Sequence, residues 1–155
     1  MPIPEFIVEL RRRIGTAELW LPGVTAVVRR DDQILLVQRS DTGEWTPVTG
    51  IVDPGEHPGV AARREVLEET GVRVLVERLS MVQALPTTTH VNGDRASYLD
   101  HTFACRHLEG QAHPADDECR DVRWYRLDDL PPMRSTYVER IGCVLREDPV
   151  TAFVS

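Results

Sequence analysis

Three glutamates, Glu65, Glu68 and Glu69, stand close together in the segment RREVLEET. On a helix, at about 100° per residue, their carboxylates fall within a sector of roughly 100°. Like charges at such spacings repel unless something positive sits among them. Carboxylate oxygens are the hard ligands that Mg²⁺ prefers, with water and substrate phosphate completing its shell. Arg64 lies four residues before Glu68, where its guanidinium can orient a carboxylate. Taken alone, RREVLEE would read as a solvated surface helix laced with ion pairs, because charged helix faces usually are.

The elements that must carry these residues can be read outward from them. A helix is expected from about Pro58 to Thr70, with Pro58 in its first turn and Gly71 at its C-terminal cap. Val60, Ala62, Val66 and Leu67 are expected on its opposite side, packed on a sheet. Asp53-Pro54-Gly55 is a turn before it. Strands are expected at Val24–Val28, Ile34–Val37, Val48–Val52, Val72–Glu77, Met81–Ala84, Thr87–Val91, Ser97–Arg106 and Asp121–Leu127. A first helix fits Ile3 to Ile14. A last helix fits Arg134 to Arg146, with Val138, Ile141, Val144 and Leu145 inward. Helices alternating with runs of strands predict an α+β fold, a mixed sheet with helices on its faces.

The length of 155 residues suggests one domain spanning 1–155. No stretch of eighteen apolar residues is present, so no transmembrane helix is expected. The segment Met1 to Leu10 lacks a basic region followed by an unbroken apolar run, and does not read as a signal peptide. The net charge of −7 disfavours binding to nucleic-acid backbones. All 18 basic residues are arginine, so lysine Schiff-base chemistry is excluded and any side-chain cation on phosphate must be Arg or protonated His. Cys105, Cys119 and Cys143 form no CxxC pair, which argues against a disulfide framework or cysteine zinc cage and fits a reducing cytoplasm. The five histidines show no HxH or HxxxH spacing.

The whole stretch from Gly50 to Val72, GIVDPGEHPGVAARREVLEETGV, adds Gly50, Glu56 and Gly71 at fixed intervals to the charged helix. Seven fixed residues at average usages of roughly 5–7% each make coincidence remote. The stretch resembles the Nudix box, G-x5-E-x7-R-E-U-x-E-E-x-G-U with U apolar, at every defined position. Trp45 and Pro47 before it, and Ala61-Ala62 within it, are also similar to what this MutT-like hydrolase family often carries. The resemblance implies a Nudix α/β/α sandwich and a hydrolase using Mg²⁺ or Mn²⁺ to cut a phosphoanhydride in a nucleoside diphosphate linked to a further group. ADP-ribose-like molecules and nucleoside triphosphates both fit. It implies that Glu65, Glu68 and Glu69 ligate metal, with Glu65 alternatively a base, and that the Gly50 carbonyl is a further ligand. Arg64 would orient the carboxylates and Glu56 would pair with Arg64. Pro47-Val48-Thr49-Gly50 departs from the Pro-Gly-Gly of many nucleotide-cleansing members, which weakens a match to that branch.

Phosphoanhydride hydrolysis of this kind needs no covalent nucleophile, only a base to activate water. Glu118, in the acidic loop Asp116-Asp117-Glu118, is a loop candidate for that base. Trp20, Tyr98 and Trp124 could stack a nucleobase, and Arg29, Arg39 and Arg95 could grip phosphate. The expected partner is a nucleotide-type small molecule, with no nucleic acid and no membrane. The oligomeric state stays open, a homodimer included. The competing class is a Nudix-fold nucleotide-binding or regulatory module without catalysis, whose usual sign would be a damaged box.

Overall fold

The computed structural model describes residues 3–155. Met1 and Pro2, which open the segment weighed as a signal peptide, lie outside the described residues. The chain runs α1 (Glu5–Ile14), β1 (Leu19–Arg30), β2 (Gln33–Arg39), β3 (Trp45–Thr46), β4 (Val48–Ile51), α2 (Pro58–Thr70), β5 (Arg73–Ala84), β6 (Thr88–Thr89), β7 (Arg95–Glu109), β8 (Cys119–Arg126), α3 (Ser135–Leu145) and β9 (Ala152–Phe153). The sheet order is β3-β2-β1-β7-β5-β9, with β4 on β1, β6 on β7 and β8 on β2. The pairs β1–β7 and β5–β9 are parallel and the others antiparallel. This is the expected mixed sheet with helices.

β1 organises the molecule. One edge pairs with β7 along eleven registered positions, from Leu19↔Ala96 to Arg29↔Arg106. Its other edge is divided between β4, at Gly23 to Ala26, and β2, at Arg29 and Arg30. The largest core cluster joins β1, β2 and β4 to α2 through Val24, Val37, Val48, Ala62 and Val66. A second lies on the other side of β1, where Val27 and Ile34 meet Ile141 and Val144 of α3. Burial of β-branched and aliphatic side chains at about 25 cal/mol per Å² drives both. No helix among the described residues is long and apolar enough to cross a membrane.

Several expectations need correction. On α2 the buried residues are Ala61, Ala62, Glu65, Val66, Glu69 and Thr70, whereas Val60 and Leu67 are exposed. The helix thus turns part of its carboxylate face inward and leaves two apolar residues in water. On α3, Val138 is exposed and Arg140 is buried beside Ile141, Cys143 and Val144. β1 begins at Leu19, earlier than expected. β5 is one strand rather than two, with register shifts near Arg78 and Ser80 that break its alternation. All three cysteines are free and buried.

Candidate active site

The box residues assemble because α2 packs its Glu65 edge on β4. Glu65 is 1% exposed and Glu69 4%. A Cβ on Gly50 would overlap the Glu65 carboxyl group, so only glycine lets this backbone lie against that side chain. The second box glycine has a different duty. Gly71 caps α2 with φ at 69°, its N–H donating to the Leu67 carbonyl at 3.0 Å, and a Cβ there would run into the His113 ring.

Arg64 ties the charged groups together. Its Nε and Nη2 donate to the two oxygens of Glu56, at 2.9 and 2.8 Å. Its Nη1 donates to Glu65 Oε1 at 2.8 Å and to Glu68 Oε2 at 3.2 Å. Nη2 also reaches the Ile51 carbonyl at 3.2 Å. Glu56 in turn accepts from the Asp53 amide at 3.1 Å, which holds the turn before the helix. The Arg64 fork keeps the Glu56 carboxyl below its ordinary value.

The deeper carboxylates behave in the opposite way. Burial pushes Glu65 up to about 7, against the pull of Arg64. Burial, reinforced by the charges of Glu65 and Glu118, pushes Glu69 up to about 8. The Cys119 thiol donates to Glu69 Oε2 at 3.5 Å and only partly offsets this. Glu65 Oε2 is buried and has no hydrogen-bond partner. A buried carboxylate oxygen facing no donor is a costly arrangement, relieved by a cation. Among the described residues no three acidic, imidazole or thiol groups already form a metal cage. Arg64 occupies the space between Glu65 and Glu68. The hard oxygen donors, the orphaned Glu65 Oε2 and the close approach of the Glu65 carboxyl group to Gly50 nevertheless fit a divalent cation such as Mg²⁺.

Glu118 comes to the same place by a route the sequence does not announce. β8 pairs with the end of β2, Cys119 opposite Arg39, and the Ser40 amide donates to the Glu118 carbonyl at 2.7 Å. Glu118 then lines a cleft of about 800 Å³ together with Gly50 and Glu65. Tyr98 also lines this cleft, its hydroxyl 3.0 Å from His90 Nε2. Trp20 and Trp124 are not among the lining residues. Trp20 is exposed on β1, and Trp124 packs on the core with the Arg30 guanidinium 4.1 Å from its ring centre. Of the three arginines considered for phosphate, Arg39 lines the cleft and is held by Asp41 at 2.9 and 2.7 Å. Arg29 pairs with Glu147 and Arg95 with Glu18, outside the lining. The opposite wall carries residues sequence reasoning missed, Asp100 on β7, Arg134 at the N-cap of α3, and Tyr137 and Arg140 within that helix. Their spacing in α3, every third residue, was the one signal available.

With this geometry the comparisons with known proteins agree. A family model described as NUDIX domain matches residues 19–147. The chain is 34% identical over 115 residues to the NAD-capped RNA hydrolase NudC of Pseudomonas syringae pv. syringae (strain B728a), covering 72% of this chain and 38% of that protein. It spans less than half the length of the curated relatives it matches. An ADP-ribose pyrophosphatase from Streptococcus suis 89-1591 superposes with a TM-score of 0.67 at 26% identity, covering 86% of this chain and 96% of that one. A UDP-X diphosphatase superposes with a TM-score of 0.70 at 23% identity, covering 97% and 74%, a likeness of fold. Carrying an unbroken box on this sheet, and matched by the family model over most of its length, the chain belongs to the NUDIX domain family.

Proposed function

We propose that the chain hydrolyses a phosphoanhydride bond in a nucleoside diphosphate linked to a further group, with Mg²⁺ or Mn²⁺ as cofactor. The observation that carries this is the orphaned, buried Oε2 of Glu65, a residue whose carboxyl group lies against the Gly50 backbone and which lines a cleft large enough for a nucleotide. Glu65, Glu68, Glu69 and the Gly50 carbonyl would hold the cation. When bound it would neutralise the diphosphate and lower the pKa of an attacking water. Arg64, anchored by Glu56, orients Glu65 and Glu68 and keeps them from drifting apart between turnovers. Glu118, or Glu65 itself, takes the proton from water. Of Trp20, Tyr98 and Trp124, Tyr98 lines the cleft and would contact a base. NudC and the ADP-ribose pyrophosphatase, by their names, act on NAD-capped RNA and ADP-ribose. Both contain a nucleoside diphosphate carrying a second group, which favours that class here over a triphosphate.

The test is product identification by mass after incubation with ADP-ribose, NAD, a nucleoside triphosphate and AMP under the same Mg²⁺, with and without excess EDTA. Nucleoside monophosphate should appear from the linked diphosphates, and EDTA should abolish it. Phosphate release from AMP would overturn the substrate class. Full turnover in excess chelator would overturn the role of metal.

A further inference from the structure

Arg140 is a cation placed where a helix normally puts an aliphatic side chain. It is 3% exposed, between Ile141 of the core and the cleft. Its partner Asp100 on β7 is equally buried, and Arg140 Nη1 lies 3.4 Å from Asp100 Oδ1. Two threonines complete the network. Arg140 Nη1 donates to Thr25 Oγ1 at 2.6 Å, and Thr25 Oγ1 donates to Asp100 Oδ1 at 2.8 Å. Thr102 Oγ1 donates to Asp100 Oδ2 at 2.8 Å. Arg140 Nε donates to the Thr136 carbonyl at 3.0 Å, and the guanidinium lies 4.6 Å from the centre of the Tyr137 ring.

Every polar atom of this network is engaged except one. Among the described residues Arg140 Nη2 has no bonding partner, yet it is not one of the sealed polar atoms that lack one. It therefore opens onto the cleft that Arg140 lines. Replacing a buried ion pair by apolar groups is often neutral or stabilising. A pair kept buried with one donor turned to a cleft is arranged for a ligand.

The strand register says which part of a ligand it would meet. Gly23 and Thr25 lie on the same face of β1, two residues or roughly 7 Å apart. The Gly50 carbonyl oxygen is 3.6 Å from where a Cβ on Gly23 would stand. Thr25 holds Arg140. Val24 and Ala26 pack on α2 and Val27 packs on α3, so Thr25, on the same face as Val27, holds the free amino group on the side of β1 away from the α2 carboxylates. We infer that Arg140 is a substrate-binding residue whose Nη2 donates to a phosphate oxygen of the nucleoside diphosphate, on the side of the anhydride away from the α2 carboxylates. This rests on the function proposed above. Asp100 and Tyr137 are positioning residues that fix the plane of the guanidinium, so the donor is aimed before the ligand arrives.

The test is calorimetric binding of non-hydrolysable α,β-methylene-ADP and of adenosine, both with Mg²⁺. It compares the wild-type protein with Arg140→Gln and with the double variant Arg140→Gln/Asp100→Asn, which leaves no unpaired buried charge. Binding of α,β-methylene-ADP should weaken roughly ten- to a hundredfold in both variants, with adenosine binding unchanged. A folded variant that binds α,β-methylene-ADP like wild type overturns the inference and leaves the proposed function standing. Equal loss for adenosine overturns the phosphate contact in favour of the nucleoside. Failure of wild type to bind α,β-methylene-ADP overturns the proposed function and the inference with it. A measurement on the unaltered protein covers variants that do not fold. The side-chain ¹⁵N resonance of Arg140 must shift on adding α,β-methylene-ADP. If cleft backbone resonances move and that one does not, the inference is wrong.

Discussion

α2 and α3 face the same cleft and both bury charge, but they do so in opposite states. Arg140 on α3 has its counter-charge in place, with Asp100 beside it and two threonines completing the network. Glu65 and Glu69 on α2 are buried with too few donors, and their carboxyl groups are driven towards neutrality as a result. One wall has its charge balanced by the polypeptide itself. The other is left incomplete, and a cation supplied from solution would complete it. A site that must bind and release such a cation needs this imbalance, and the protein carries its cost in stability.

The sharpest way to break the comparison is Glu69→Gln. Loss of the carboxylate should lower kcat/KM by about a hundredfold or more if it holds the cation. In excess chelator at pH 8 the same variant should melt higher than wild type, because a buried charge has gone, by about 2–4 °C for each kcal/mol regained. Glu118→Gln should cost far less activity. If Glu118→Gln is the more damaging change and metal affinity is unaltered, the base sits on that loop. Full activity in Glu69→Gln removes Glu69 from the site.

Arg64→Ala should have an intermediate effect. It should lower activity about ten- to a hundredfold without unfolding the protein, since Arg64 orients carboxylates and fills no core position. A fully active variant would mean that Glu65 and Glu68 need no such support.

The smallest expected effect is on stability against pH. In the metal-free protein the folded state holds protons on Glu65 and Glu69 up to about 7 and about 8, while an unfolded chain releases them near 4.5. The folded state binds more protons in that window, so stability is greatest below it and falls as pH rises through it. Thermal melts with chelator should show this decline between about pH 5 and 8, and Mg²⁺ should flatten it. A chelated protein that gains stability across that range would contradict the unpaired state of α2.

The carboxylates were legible because their spacing is local. Glu65, Glu68 and Glu69 on one helix, Arg64 within reach of Glu68, and the caps at Pro58 and Gly71 all follow from residues a turn or two apart. What was misread is which way α2 faces. Apolar periodicity sends Val60 and Leu67 inward and glutamates outward, but packing against β4 reverses this, and Gly50 is what makes room. The strands were legible where alternation is regular. The register shifts in β5 hid its continuity, and two-residue strands such as β3 and β9 carry too little pattern to be seen. Arg140 offered only its threefold spacing with Arg134 and Tyr137. Between Glu139 and Ile141 it reads as another surface arginine, and its partners Thr25 and Asp100 belong to strands far away in the sequence.

The divided edge of β1 has a kinetic consequence. Val24 lies beside Gly50 on one edge and His101 on the other, and the second pairing is parallel. Parallel strands cannot be joined by a tight turn, so bringing β1 to β7 closes a long loop that contains β2, α2 and β5. Loop-closure entropy must be overcome before such contacts bring any return, and folds built on them assemble slowly. Gly50 and the three glutamates lie within that loop, while Glu118, Asp100 and Arg140 lie beyond or at its end. A synthetic peptide spanning Gly50 to Val72 would therefore contain every residue of the box and still lack the cleft, which comes into being only when the loop shuts.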